Sequence, residues 1–215
     1  MTPHVPSRLP DVGTTIFTVM SRLANDHGAI NLSQGFPDFS PPPLLTERLN
    51  HHMAAGANQY APMAGAPALR EAIAAKVERL YGARYDVEQE VTVTAGATQA
   101  LFTAIAACVR PGDEVIVFAP VYDSYGPSVV LAGGRVREAR LRHPDYRPDW
   151  DEVRALIGPR TRMIIINTPH NPTATVWSAH DLTELAAVTR GTDIVVVADE
   201  VYEHMVFDGG RHESV

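Results

Sequence analysis

The residues best suited to chemistry follow apolar runs in the second half of the chain. Asp199 comes directly after the apolar residues 194–198, and Tyr202 follows it by three positions. A carboxylate at the end of a strand that is buried on both faces is costly unless a cation pairs with it, so we expect that cation on a ligand. Asp199 could instead simply end its strand or cap the next turn.

Two more groups complete a possible ligand site. Gly96, Ala97 and Thr98 open an apolar helix, and the free N–H groups at a helix N-terminus bind phosphate. Asn171 lies in a turn held by prolines on both sides, with its amide free to donate. The ligand that suits these groups is a phosphorylated, hydroxylated pyridinium, because they comprise a phosphate site, an amide donor, a phenol and a carboxylate that needs a cation. Pyridoxal 5'-phosphate is such a molecule.

The pattern of apolar residues predicts elements that bring these groups together. Short strands separated by helices indicate βαβ units in one mostly parallel sheet flanked by helices, an α/β fold. In such sheets, ligands bind beyond the carboxyl ends of the strands. We predict strands at residues 91–94, 114–118, 135–141, 162–167 and 193–199, and helices at 16–23, 44–55, 68–81, 99–109, 122–131 and 179–188.

Composition restricts the partners and the compartment. With 18 Lys and Arg against 25 Asp and Glu, the formal net charge is −7, which gives no basic surface for nucleic acid. Cys108 is the only cysteine, which suits a reducing cytoplasm. Residues 1–10 contain no apolar segment typical of a secretion signal, and no later apolar run approaches the length that a membrane span requires. We therefore expect a cytoplasmic protein without nucleic-acid or membrane partners.

The chain resembles the class I/II, fold type I aminotransferases over essentially its whole length, and looks most similar to methionine aminotransferases and kynurenine and glutamine transaminases. The order and spacing of six segments carry this resemblance. They are NLSQGFPDF (31–39), NQY (58–60), AGATQA (95–100), PVYDSY (120–125), NTPHNP (167–172) and ADEVY (198–202).

The resemblance implies a role for each residue near the pyridoxal phosphate ring. Asp199 is expected to pair with the ring N–H and keep the ring protonated as an electron acceptor. Asn171 and Tyr202 are expected to hydrogen-bond the ring 3'-oxygen. Tyr122 matches the aromatic residue that stacks on the ring.

Five further positions match the family's phosphate and substrate contacts. Gly96, Ala97 and Thr98 match the phosphate turn. Tyr60 matches a residue that reaches the cofactor phosphate of a neighbouring subunit, so the resemblance implies a homodimer. Gly35 matches the loop that faces the substrate carboxylate.

The lysine that a transaminase needs for its Schiff base is not matched in the sequence. Lys76 is the only lysine, and its position off the apolar stripe of the helix at 68–81 indicates an exposed surface residue. In the family the Schiff-base lysine, a substrate-binding arginine and a small domain come later than Val215, so we predict no catalytic residue in this chain and an incomplete C-terminus. Residues 1–45 are expected to form an arm and substrate loop, and 46–215 part of the cofactor-binding large domain.

Transamination of methionine, or of an aromatic or kynurenine-like amino acid, with a 2-oxo acid is the expected activity, for which this chain alone lacks parts. Two strands of the family's sheet also come later, so we expect a gap in the sheet. A carbon-sulfur β-lyase would share Asp199 and Asn171, and a non-catalytic relative remains an alternative. A nicotinamide-dependent dehydrogenase would need a glycine fingerprint that the sequence lacks.

Overall fold

A computed structural model describes residues 6–35 and 37–215. The first five residues of the expected arm, and Phe36 of the 31–39 segment, lie outside the described residues. Four strands form one parallel sheet, in the spatial order β2-β1-β3-β4. They are β1 (Glu114–Ala119), β2 (Arg135–Arg140), β3 (Thr161–Asn167) and β4 (Val195–Asp199).

Helices lie along the chain before the sheet and between its strands. Each begins or ends where the local sequence dictates: Asp149 and Ser178 accept hydrogen bonds from the first turns of two of them, and Gly82 ends another at φ 74°. No helix in the described parts of the chain is both long and apolar enough to cross a bilayer. The helices are α1 (Ile16–Asp26), α2 (Pro43–Ala54), α3 (Pro67–Tyr81), α4 (Ala97–Cys108), α5 (Tyr125–Leu131), α6 (Trp150–Leu156) and α7 (Ala179–Thr189).

The core lies on both faces of the sheet. Alternate residues of a strand point to opposite faces, so β3 sends Ile164 and Ile166 into one cluster and Met163 and Ile165 into the other. The first cluster contains residues of α6 and α7, with both tryptophans. The second contains residues of α4 and α5. The predicted helix-covered parallel sheet is confirmed, and the carboxyl ends of its strands share one edge.

The strand predicted at residues 91–94 is wrong, because this segment belongs to no strand. Its backbone instead bonds to the loop and helix before it: Val93 N–H donates to the Ala64 carbonyl at 2.9 Å, and Arg70 Nε donates to the Val91 carbonyl at 2.9 Å. Within the described residues β4 pairs only with β3, and no strand pairs with residues 91–94.

The strand that ends at Asp199 is less buried than predicted. Its residues Val195 to Val197 are only partly buried, and Ala198 is exposed. The reason is its position at the edge of the sheet, where one side has no neighbouring strand among the described residues. Asp199 itself, at the end of β4, is 9% exposed.

Two expectations for α3 are wrong. The apolar stripe is not buried, since Leu69 is 48% and Leu80 40% exposed, and the buried residue of this helix is Arg70. Lys76 is not a free surface lysine, because its ammonium forms an ion pair with Glu203, in the segment after β4. A periodic stripe shows which face is apolar, whereas burial also needs a packing partner.

The remaining differences are smaller. The helix expected from residue 122 starts at Tyr125, since residues 123 and 124 form a turn. The sequence analysis missed α6, a helix of 7 residues that is too short to show a clear apolar period. The sequence does indicate where α6 begins, because Asp149 suits the N-cap position and two acidic residues follow it in the first turn.

Candidate cofactor site

A cavity of about 170 Å³ lies where the carboxyl ends of β3 and β4 meet the start of α4. Six of the residues that sequence analysis singled out line it together, although they come from four separate parts of the chain. They are Ala97, Thr98, Tyr122, Asn171, Asp199 and Tyr202.

Asp199 is held in this cavity by two hydrogen bonds. The Tyr125 hydroxyl donates to Oδ2 at 2.6 Å, and the Val201 backbone N–H donates to Oδ1 at 3.2 Å. Burial and then the contact with the Asp199 carboxylate raise the pKa of Tyr125, so its hydroxyl keeps its proton and donates. The sequence analysis gave Tyr125 no role, because nothing local connects residues that are 74 positions apart.

Asn167 links the ends of β3 and β4 and was also missed. Its amide Nδ2 donates to the Asp199 carbonyl at 2.9 Å, and its Oδ1 accepts from the Asn171 backbone N–H at 2.8 Å. Thr168 N–H donates to the same Asp199 carbonyl at 3.1 Å. The turn that carries Asn171 is therefore tied directly to the strand end that carries Asp199. A polar residue at the end of an apolar run was the signal that could have identified Asn167.

His170 stabilises the same turn from inside the protein. It is 4% exposed, and its Nδ1 lies 2.8 Å from the Thr173 hydroxyl. Burial lowers the pKa of His170, which keeps the imidazole neutral at pH 7. Its backbone exchanges hydrogen bonds with Ala174 and Thr175, which closes the turn.

The start of α4 is the second feature that suits an anion. No side chain caps this helix, so the N–H groups of its first turn are free of side-chain partners in the described structure. Gly96 precedes the helix at φ 87°, a conformation that favours glycine. Ala97 and Thr98 line the cavity, whereas Gly96 lies just outside its lining.

A larger cavity, of about 1020 Å³, adjoins the first and shares Tyr122, Asn171 and Tyr202 with it. Gly35 lines this larger cavity, as expected for a residue that faces the substrate. Tyr60, in contrast, lines neither cavity and is 101% exposed. The structure thus brings six of the predicted site residues into one cavity and Gly35 into the adjoining one, whereas Gly96 and Tyr60 line neither cavity.

The groups that line the cavity fit pyridoxal phosphate. A buried carboxylate suits a cationic ring nitrogen, free helix N–H groups suit a phosphate, and an amide and a phenol suit a ring oxygen. Within residues 6–35 and 37–215 no group of three or more His, Cys, Asp or Glu could hold a metal ion. The fold and the cavity together define an α/β domain built to bind an anionic aromatic cofactor at the carboxyl edge of its sheet.

Comparison with known proteins identifies the family. The chain belongs to the aminotransferase class I and II family, whose model matches residues 27–215. It is 58% identical over 214 residues to methionine aminotransferase of Escherichia coli, covering 99% of this chain and 55% of that protein. It is 35% identical to human kynurenine–oxoglutarate transaminase 1, covering 97% of this chain and 52% of that protein.

Solved structures confirm the fold. A crystal structure from Escherichia coli, described as identifying a methionine aminotransferase function, superimposes with a TM-score of 0.95 at 58% identity, covering 99% of this chain and 56% of that one. The resemblance and the fold class inferred from the sequence are therefore confirmed. The chain spans about half the length of the curated relatives it matches.

Proposed function

We propose that the protein carrying this chain is a pyridoxal-phosphate-dependent aminotransferase. It transfers the amino group of methionine, or of an aromatic or kynurenine-like amino acid, to a 2-oxo acid. The family match and the names of the relatives support this activity. The observation that carries the proposal is the buried carboxylate of Asp199 in one cavity with the uncapped start of α4.

Bound pyridoxal phosphate supplies an electron-withdrawing ring that lets the Cα proton of an amino acid leave. Asp199 pairs with the ring N–H and stabilises its positive charge in a site where few water molecules compete. Tyr122 stacks against the ring face. Asn171 and Tyr202 donate hydrogen bonds to the ring oxygen, and both line the cavity beside Asp199.

Phosphate binds at the start of α4. The N–H groups of Ala97 and Thr98 donate to it, and the helix dipole adds a favourable field. Gly96 allows the chain to enter the helix with a positive φ and without a side chain in the approach. The phosphate and Asp199 then fix the cofactor at its two ends.

The substrate occupies the larger cavity. Gly35 and its neighbours Ser33 and Gln34 line it, next to Tyr122 and Asn171 of the cofactor site. We assign residues 1–45 to the arm and substrate loop and 46–215 to the cofactor-binding domain. Tyr60 is fully exposed in this chain, which suits a contact with the cofactor phosphate of a second subunit in a homodimer. A single cysteine suits a cytoplasmic enzyme.

The Schiff-base lysine comes from outside these 215 residues. Lys76 is the only lysine here, and its ammonium pairs with Glu203 and lines neither cavity. Residues 1–215 therefore bind and orient the cofactor, and they lack the group that moves the Cα proton.

The experiment is a titration of the full polypeptide that carries residues 1–215 with pyridoxal phosphate, followed by addition of methionine and a 2-oxo acid. We expect saturable binding and equal amounts of a new 2-oxo acid and a new amino acid. Failure to bind the cofactor would reject the proposal. Pyruvate and ammonia formed without a 2-oxo acid acceptor would show a carbon-sulfur β-lyase instead.

A further inference from the structure

The Asp199 carboxylate is oriented by a buried phenol from another element. Tyr125, the first residue of α5, is 2% exposed, and its hydroxyl lies 2.6 Å from Asp199 Oδ2. Its ring packs in the core cluster that also contains Leu101, Ile105 and Val129. The ring position is therefore fixed by packing, and the hydroxyl is directed at one oxygen of the carboxylate.

The two hydrogen bonds to Asp199 favour one orientation of its carboxylate. Both donors, the Tyr125 hydroxyl and the Val201 N–H, meet different oxygens of the carboxylate. Hydrogen bonds donated to a carboxylate stabilise its ionised form. Because burial raises the pKa of Tyr125, the phenol stays protonated near neutral pH and donates rather than competing as an anion. Each carboxylate oxygen can accept a second hydrogen bond, so capacity for a ligand N–H remains.

We infer that Tyr125 is a positioning residue that orients the Asp199 carboxylate toward the cationic ring N–H of pyridoxal phosphate, and so determines how strongly the ring nitrogen binds its proton. This inference rests on the proposed function, since it assigns a role toward the same cofactor. Tyr125 acts through Asp199 and does not line the cavity itself.

A structural role makes a different prediction from a positioning role. If the hydroxyl only stabilised the fold, its removal would affect every ligand of the cavity alike. If it acts through Asp199 on the ring nitrogen, its removal affects only ligands that have that nitrogen. The carbocyclic analogue of pyridoxal phosphate, in which carbon replaces the ring nitrogen, separates the two roles.

The test compares Tyr125→Phe with Tyr81→Phe in the full polypeptide. Phenylalanine keeps the ring in the core and removes only the hydroxyl. Tyr81 is a matched control, because its hydroxyl also donates to a carboxylate, Glu203 Oε2 at 2.5 Å, and it lines neither cavity. Equilibrium dissociation constants are measured for pyridoxal phosphate and for the carbocyclic analogue, and the ring-nitrogen protonation is followed by ¹⁵N NMR of labelled cofactor.

We expect Tyr125→Phe to weaken pyridoxal phosphate binding about tenfold and analogue binding less than about twofold. The ¹⁵N resonance should shift toward the unprotonated value. Tyr81→Phe should leave both constants and the resonance unchanged. In an Asp199→Asn background, Tyr125→Phe should have almost no further effect on cofactor binding, because the two residues act as one unit.

Equal losses for both ligands, or no loss for either, would overturn the inference while leaving the proposed function intact. Failure of the wild-type protein to bind pyridoxal phosphate would reject both the inference and the proposed function. If Tyr125→Phe does not fold, the test instead follows the ¹³Cζ resonance of Tyr125 in the wild-type protein. That resonance should move on binding pyridoxal phosphate and stay in place on binding the analogue, and the reverse outcome overturns the inference.

Discussion

The part of the chain before residue 66 and the sheet domain after residue 113 are both rich in apolar residues, but only the second buries them. Neither α1 nor α2 contains a buried residue, and Leu44 and Leu45 are 62% and 64% exposed. In β1, by contrast, Val115 and Ile116 are fully buried. The difference lies in the neighbours, because the sheet supplies two faces for packing and the described residues supply no comparable surface to α2.

The same contrast divides the candidate site. Asn167, at the end of β3, donates to the Asp199 carbonyl and accepts from the Asn171 N–H, so it links both residues at the edge of a packed core. Gly35 and Tyr60 come from the loosely packed part and are exposed. The residues proposed to hold the ring of the cofactor are thus held in place by packing and hydrogen bonds, whereas Gly35 and Tyr60, proposed to meet the substrate and a second subunit, are exposed. Four mutations test this contrast, from the largest expected effect to the smallest.

Replacing Asp199 with alanine should have the largest effect. Loss of the buried partner of the ring nitrogen should weaken cofactor binding and slow Cα deprotonation by about a hundredfold to a thousandfold. Single-turnover rates and cofactor dissociation constants of the full polypeptide measure both. Asp193→Ala, at an exposed position before β4, should change neither. An unchanged rate in Asp199→Ala would remove Asp199 from the proposed role.

Truncating an apolar side chain should lower the free energy of unfolding more in the sheet domain than in the part before residue 66. Ile164→Ala, at a fully buried position of β3, should lower the free energy of unfolding of the 215-residue chain by about 3 kcal/mol. Leu45→Ala in α2 should lower it by less than about 0.5 kcal/mol. Urea unfolding measures both. Equal losses would contradict this difference in packing between the two regions.

Arg70 lies in α3, between the two regions, and its replacement should have an intermediate effect. It is 4% exposed and donates to the carbonyls of Val87 and Val91. Arg70→Met keeps the apolar stem but leaves both buried carbonyls without this donor, so we expect a loss of about 2 kcal/mol. The Val93 amide should also exchange faster with solvent. Arg79→Met, exposed on the same helix, is the control and should change neither quantity.

The smallest effect concerns a buried charge within the sheet domain. Burial raises the pKa of Asp181, but hydrogen bonds from Ser178 and Trp150 and the charge of Arg147 outweigh it and lower the pKa below its usual value. A lowered folded-state pKa stabilises the protein above the unfolded-state pKa, and this stabilisation disappears as the pH falls through the folded-state value.

Asp181→Asn should therefore cost about 1 kcal/mol at pH 7, and the difference from wild type should shrink as the pH falls through the lowered pKa of Asp181. Urea unfolding at several pH values measures it. Asp151→Asn, whose carboxylate is 95% exposed, should show little effect at any pH. A difference for Asp181→Asn that grows as the pH falls would contradict the assigned direction.

The sequence predicted the features that depend on neighbours along the chain. The apolar runs of β1 and β3 and the helices between them are visible locally, and Asp199 is placed at the end of its strand by the end of such a run. The strand expected at residues 91–94 failed because strand formation needs a partner. The pairs Tyr125–Asp199 and Lys76–Glu203 join residues 74 and 127 positions apart, so no local pattern could reveal them.

Trp150 and Trp177 are the two tryptophans of the chain, and both belong to the core cluster on the α6 and α7 face. Their ring centroids are 5.7 Å apart, so the two indoles exchange excitation and behave optically as one reporter. Trp177 also lines the larger cavity. Tryptophan fluorescence from these 215 residues should therefore report on that cavity and on the α6 and α7 face of the sheet, rather than on α4.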